Sequence, residues 1–321
     1  MILQRLYPLR LWPDESRFDF MRLRHLSFPL SAALSIAIVF TFLTMGLNYG
    51  VDFKGGTLIE MQPKEKGPSA IAAVRTKADS FGFGEVEVQE FGAEGGVSLR
   101  FPIQPGGEAA QGVVVEKARG EFGGAYNFER VETVGPRVSG ELVQSGTIGV
   151  ILSVLAVLAY LWFRFERELA VAAIIGTLHD IVLTIGFFVI TRHEFNMTSI
   201  AAILTIVGYS LNETVVVFDR TRELLRRYKT MPTIELLNLS INTTMSRTAI
   251  TSMTTILSLL ALVVFGGRAI EGFAQVMLAG VFICTYSAIL ISSPVLIYIG
   301  VRSGQRVPAG ATGAAAAQPA E

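Results

Sequence analysis

Glu213 is the only charge within residues 195–218, a run apolar and long enough to cross a membrane. An acidic side chain at the centre of such a helix costs about 2.5–3.5 kcal/mol on insertion scales, so its presence calls for a role. Asp180 stands near the middle of the apolar run 169–191, and Arg247 directly precedes the run 248–267. A carboxyl and a guanidinium at similar depth can pair. Burial disfavours a carboxylate's charge and a neighbouring guanidinium favours it, so helix movements that part or join the two can drive proton uptake and release. Each proton passed down a membrane potential releases about 2.3 kcal/mol per 100 mV. That chemistry makes Glu213, Arg247 and Asp180 candidate proton-relay residues. The bland alternative is a static ion pair at the membrane edge for Glu213 and Arg247, and a hydrogen bond to a neighbouring helix for Asp180. His179 adjoins Asp180, but consecutive helical residues point about 100° apart, so the spacing implies no His179–Asp180 dyad. Asp219 and Arg220 fall at the inner boundary of their run, where a cap or a loop anchor is expected.

The elements that must position these groups are helices with polar seams. From Arg247, Thr251, Thr254, Thr255 and Ser258 follow at helical spacing along one stripe. Before Glu213, Tyr209 and Thr205 repeat every four residues, and Asn212 with Gly208 forms the adjacent strip. Gly176 and Thr184 flank Asp180 by one turn on each side. The small residues Gly146, Gly149, Ser153 and Ala156, and later Gly280, Cys284, Ser287 and Ser292, are packing faces of the kind that lets membrane helices approach closely.

The chain has 321 residues, of which 51% are hydrophobic and 17% charged, and the apolar residues are gathered into blocks. That is the composition of a membrane protein. Formal net charge is zero and no basic stripe is present, which excludes nucleic acid as a partner. Cys284 is the only cysteine, so an intrachain disulfide and a thiolate metal cluster are excluded, and no metal or cofactor is expected. Six blocks of spanning length occupy residues 28–47, 142–163, 169–191, 195–218, 248–267 and 272–301. The first is read as a retained anchor, not a signal peptide, because it is too long and follows a charged leader. Arg5, Arg10, Arg17, Arg22 and Arg24, then Arg164 and Arg167, then the basic residues from 220 to 229, all fall on one side when the termini are cytoplasmic. This gives a cytoplasmic segment 1–27, a first span 28–47, an outer domain 48–140 and five further spans within 141–301, with a cytoplasmic loop at 219–246. A disordered cytoplasmic tail at 302–321 completes the order.

The outer domain alternates strand and helix periods. Residues 57–63, 85–91, 96–103 and 126–134 read as strands, and 68–82 and 108–122 as helices. The order βαββαβ is the ferredoxin-like split motif. Between residues 48 and 140 there is no His and no Cys, so binding or mechanical work is expected there, not catalysis. "VDFKGG" (51–56) leaves the first span and "VGPR" (134–137) enters the second. Asp52, Gly55 and Gly56, and Gly135 with Pro136, are candidate hinges, ordinary turn chemistry being the alternative.

Taken together, "VDFKGG", "VGP" (134–136), "HD" (179–180), "GYSLNETVVVFDRTRE" (208–223) and "SRTAITSMTTILSLLALVVFGG" (246–267) resemble the SecF branch of the SecD/SecF family of bacterial protein-export membrane subunits. The resemblance covers nearly the whole chain to Val301. It implies six spans forming half of a resistance-nodulation-division (RND) type transporter, completed by a SecD partner. It implies a complex in the inner membrane, with YajC as companion, that uses the proton gradient to help the SecYEG channel move preprotein to the periplasm. The family's relay acid maps onto Glu213 and its arginine onto Arg247, while a further acid resides in SecD. Aspartate is usual where this chain has Glu213, which keeps the carboxyl and adds a methylene. The competing readings are a proton-coupled RND exporter of small molecules and a non-transporting membrane scaffold. A rhomboid-type protease is excluded, because "GYS" lacks the following glycine and the sixth run has no histidine base.

Overall fold

The computed structural model describes residues 16–65, 71–91 and 95–301. The expected tail, the stretch 1–15 and the expected helix start near residue 68 lie outside the described residues. A short 3₁₀ turn, Phe20–Leu23, capped by Asp19, leads into α1 (Arg24–Met45). Next come β1 (Asn48–Tyr49), α2 (Val51–Lys54), β2 (Gly56–Pro63), α3 (Ile71–Asp79), β3 (Glu87–Phe91), β4 (Gly96–Phe101), α4 (Glu108–Phe122) and β5 (Tyr126–Val134). The remaining elements are α5 (Pro136–Arg164), α6 (Arg167–Thr191), β6 (Glu194–Phe195), α7 (Met197–Arg227), α8 (Thr233–Phe265), α9 (Arg268–Ser287), a π-helical turn Ala288–Ser292 and α10 (Ser293–Ile299).

β2 to β5 form one antiparallel sheet in the order β3-β4-β2-β5, the strand order of the split βαββαβ motif. Ile59 and Met61 of β2, Val97, Leu99 and Phe101 of β4, and Val114, Ala118 and Phe122 of α4 share its core. Burying this apolar face is what the alternating pattern of the strands achieves.

Among the described residues, six helices are long and apolar enough to cross a membrane: Phe20–Met45, Pro136–Arg164, Arg167–Thr191, Met197–Arg227, Thr233–Phe265 and Ile270–Ile299. Half of the apolar stretch of α6 and of α7, and 61% of the last span's, is buried against protein, compared with 11% for α5 and 17% for α1 and α8. The inner helices are therefore α6, α7 and α9, with α1, α5 and α8 on the outside. Close approach among the inner ones depends on glycine: a Cβ at Gly176 would collide with Ser292, and one at Gly280 with Ile206.

Two segments differ from the sequence expectation. Residues 219–246, expected as a loop, are helical extensions of α7 and α8 joined by a short turn at 228–232. Their cause is a second amphipathic stripe, with Leu224, Leu236, Leu237 and Ile241 buried, while Arg220 and Glu223 pair one turn apart at 2.6 Å on the surface. Membrane thickness limits an apolar run, but not the helix that contains it. The last span is not one regular helix either. Pro294 has no N–H to give Leu290 O in the α register, the backbone widens to a π turn, and Ser27 Oγ of α1 donates to Leu290 O at 2.9 Å.

Candidate functional site

Glu213 lies inward on α7, 1% exposed, and accepts a hydrogen bond from Thr251 Oγ1 of α8 at 3.1 Å. The hydroxyls of Tyr209 and Thr248 also face its carboxyl. Tyr209 Oη donates to Ser252 Oγ at 3.2 Å, and Ser252 shares a 2.9 Å bond with Thr285 of α9. One part of the predicted threonine stripe thus meets the acid. Thr254 and Ser258 are exposed and bond their own helix's carbonyls four residues back.

Arg247 is one turn before Thr251, but its side chain is exposed on α8, and among the described residues no ion pair joins it to Glu213. The expected Glu213–Arg247 pair is replaced by a carboxyl held by hydroxyls, because the α8 face that meets α7 carries Thr248, Thr251 and Ser252 and turns position 247 outward. Gly208 and Asn212 are likewise exposed, on the side of α7 away from Glu213.

Asp180, 2% exposed, accepts from Ser210 Oγ of α7 at 2.5 Å and meets His179 Nδ1 at 3.1 Å. His179 Nε2 bonds Ser31 Oγ of α1. The structure joins His179 and Asp180 although their spacing does not imply it. The two Cβ directions diverge, yet Asp180 Oδ1 and the near ring nitrogen meet in the gap between them, with Ser31 fixing the far nitrogen. Ser31 and Ser210 were not singled out from sequence. Ser27 and Ser31, one turn apart in an otherwise apolar run, were the available signal.

Arg164 Nη2 donates to both carboxylate oxygens of Asp219, at 2.8 and 2.7 Å, and Arg220 reaches Thr243 Oγ1 at 3.1 Å as well as Glu223. Both tie α7 to neighbouring helices, α5 and α8, where a cap or a loop anchor is expected from the sequence.

The junction between α1 and the sheet is clamped. Parallel pairing matches Asn48 with Glu194 and Tyr49 with Phe195. Asn48 Nδ2 donates to Arg192 O at 2.9 Å, and Asp52 Oδ2 accepts from Met197 N at 2.8 Å, capping the start of α7. Arg100 of β4, 8% exposed, donates to Glu87 at 2.9 Å and Asn48 at 3.3 Å, and pairs with Glu194 at 3.5 Å. Gly55 (φ 72°) and Gly56 (φ 111°) adopt backbone that side chains disfavour, and a Cβ at Gly56 would strike the Phe101 carbonyl, so this pair serves close approach. Gly135 is the N-cap of α5 and Pro136 its first residue.

Burial holds the Glu194 carboxyl above the ordinary carboxylate range, against the pull of Arg100 and Arg130 and with the help of Glu132 and Asp52. A raised value means that the folded chain binds this proton more tightly than the unfolded chain. Glu194's contribution to stability is then full below the ordinary glutamate value, about 4.3, and is lost as pH rises through the folded value. Glu194→Gln should therefore flatten the fall of melting temperature with rising pH above that point. A thermal scan across pH in which wild type and variant run parallel would remove Glu194 as a titrating group.

A family profile described as protein export membrane protein SecD/SecF, C-terminal, matches residues 114–302, and one described as the SecD/SecF GG motif matches residues 40–66. The protein translocase subunit SecF of Rickettsia bellii is 40% identical, over 91% of this chain and 96% of its own length. A protein translocase subunit SecDF of Brucella abortus is also 40% identical, over 92% of this chain, which spans only 39% of that longer protein. The crystal structure of a SecDF from Thermus, a translocon-associated membrane protein, superposes with a TM-score of 0.79 at 30% identity, covering 92% of this chain and 41% of that one. These relatives are translocase subunits, transport components and not enzymes. Six spanning helices, the split-motif domain between the first two, and relatives of this identity over nine-tenths of the length place the chain in the SecD/SecF family of protein export membrane proteins, with SecF subunits as its full-length counterparts.

Proposed function

We propose that this chain is the SecF-type half of a proton-driven machine that promotes preprotein movement through a SecYEG-type channel. The observation that carries the reading is Glu213: an acid buried in a spanning helix whose hydrogen-bond partner is a hydroxyl and not a counter-ion. With no counter-ion to hold it ionised, such a group can take up and release a proton, which a carboxylate locked in a fixed ion pair does not. Asp180 is the second acid of the relay, and Arg247 acts from the outer face of α8. Arg247, Asn212 and Gly208 are exposed in spanning helices, where an unpaired guanidinium or amide is expensive, so a partner chain covers them. A SecD-type subunit is that partner, as the fused SecDF relatives join the two halves in one chain. The complex sits in the bacterial inner membrane, with both termini cytoplasmic, the sheet domain periplasmic and YajC a further companion. Protons drive it, with no cofactor.

The test uses the co-purified pair in vesicles with the channel and an imposed proton gradient. Preprotein completion should stop when an uncoupler collapses the gradient, and Arg247→Met should shift the pH dependence of proton flux. Completion that continues at full rate without a gradient would leave the scaffold reading standing.

A further inference from the structure

We propose that His179 is a positioning residue that ties α1, and with it the sheet domain, to the charge state of Asp180. The proposal rests on the reading of Asp180 as a proton-exchanging acid. It is carried by one continuous set of hydrogen bonds across three helices: Ser31 of α1 to His179 Nε2, His179 Nδ1 to Asp180 Oδ1 at 3.1 Å, and Ser210 of α7 to Asp180 Oδ2 at 2.5 Å. Ser210 precedes Glu213 by three residues and shares its buried face of α7. The line therefore runs from the helix that leads to the sheet domain to the helix that bears the principal acid.

α1 packs along α6, but few of its side chains are buried. Its buried residues are Ser27, Ser31 and Ile38. Ile38 lies where a Cβ at Gly186 would be, a shape contact, and Ser27 donates to Leu290 O. Of these, only the Ser31 contact involves a titratable partner.

The chemistry of imidazole makes that contact directional. With Asp180 ionised and the ring neutral, Nδ1–H donates to the carboxylate and Nε2 accepts from the Ser31 hydroxyl. When the ring takes a second proton, Nε2–H becomes a donor, and Ser31 must accept and turn its own hydrogen elsewhere. The nearest outlet on a helix is the carbonyl four residues back, that of Ser27. Protonation of the pair thus reverses the sense of the bond that holds α1. Conversely, withdrawing α1 leaves Nε2 unpaired in an apolar setting and changes which protonation state of His179–Asp180 is favoured.

The other titratable groups facing the pair are Tyr286, whose ring centroid is 6.0 Å from that of His179, Cys284 of α9 beside Asp180, and Glu213 one turn along α7. None of these is cationic, so within this group the only positive charge that can form is on His179 itself.

The experiment uses the complete complex in vesicles, with proton flux and preprotein movement recorded together from pH 5.5 to 8.5. His179→Gln keeps a side chain of similar reach but cannot titrate. It should flatten the pH dependence of flux and lower flux at neutral pH about tenfold. Ser31→Ala removes only the tether and should lower the preprotein moved per proton roughly threefold. A wild-type profile per inserted molecule in His179→Gln overturns the proposal, even if that variant is less stable. Should His179→Gln fail to insert, Ser31→Ala decides, and unchanged coupling overturns it. Asp180→Asn, run alongside, separates the two levels. Full flux in Asp180→Asn sinks the relay reading of Asp180, whereas an inactive Asp180→Asn beside an unaltered His179→Gln sinks only the tether.

Discussion

Glu213→Gln is expected to leave the chain inserted and partner-bound while gradient-driven preprotein completion falls by about a hundredfold or more, the scale of a lost acid-base group. The amide has the same shape as the protonated carboxyl and can still accept from Thr251 Oγ1, so packing between α7 and α8 is preserved. What disappears is the exchangeable proton. Stability should stay level or rise slightly, because a neutral amide is cheaper to bury than a carboxylate. Glu213→Asp is the informative companion. It keeps an acid but withdraws it by one methylene from Thr251, and activity within about tenfold of wild type would show that protonation matters more than reach. Flux and completion measured on equal amounts of inserted protein check both. Normal completion with Gln at position 213 would end the proton-driven reading.

The second large effect is on packing. Gly176→Val should destabilise the chain by about 1–3 kcal/mol through overpacking, and more if α6 cannot shift. Gly176 lies against the π turn, where any Cβ meets Ser292 Oγ. That hydroxyl is buried and, among the described residues, has no hydrogen-bond partner, so it gains nothing from its position. Ser292→Ala alone should therefore be near neutral, and it should recover part of the loss in Gly176→Ala. A thermal double-mutant cycle measures this coupling. Strict additivity of the two changes would mean that the close approach of α6 and the π turn is not what Gly176 provides.

How much of this was legible in the sequence depends on whether the signal was local. The split-motif domain was, because alternating and helical periods are written within single elements: the helix expected at 108–122 and the strand at 126–134 are α4 and β5. The spanning helices were visible as apolar blocks, and Glu213 was visible because charge is rare inside them. The extensions of α7 and α8 lie beyond their apolar runs, so run length ends them too early and only the amphipathic period of Leu224, Leu236, Leu237 and Ile241 marks them. Arg247 stands one turn before Thr251 on the stripe as read, but which way it points depends on how α8 rolls against α7, and that is set by Thr248, Thr251 and Ser252 together. The Ser31–His179–Asp180–Ser210 line was out of reach because its outer members come from helices far apart in the chain, and neither serine is unusual alone. The clamp of Asn48 and Arg100 on Glu194 was hidden for the same reason.

That clamp sets an order of assembly. The ribosome releases every strand of the four-stranded sheet before it makes residues 192–197, so the sheet can close while Asn48, Asp52 and Arg100 still lack their distant partners. Until the third span is in place, Arg100 has Glu87 and Asn48 alone. The joint between the sheet domain and the beginning of α7 therefore forms onto a sheet whose strands are all already made, and the domain is attached to the acid-bearing helix after its own core can close.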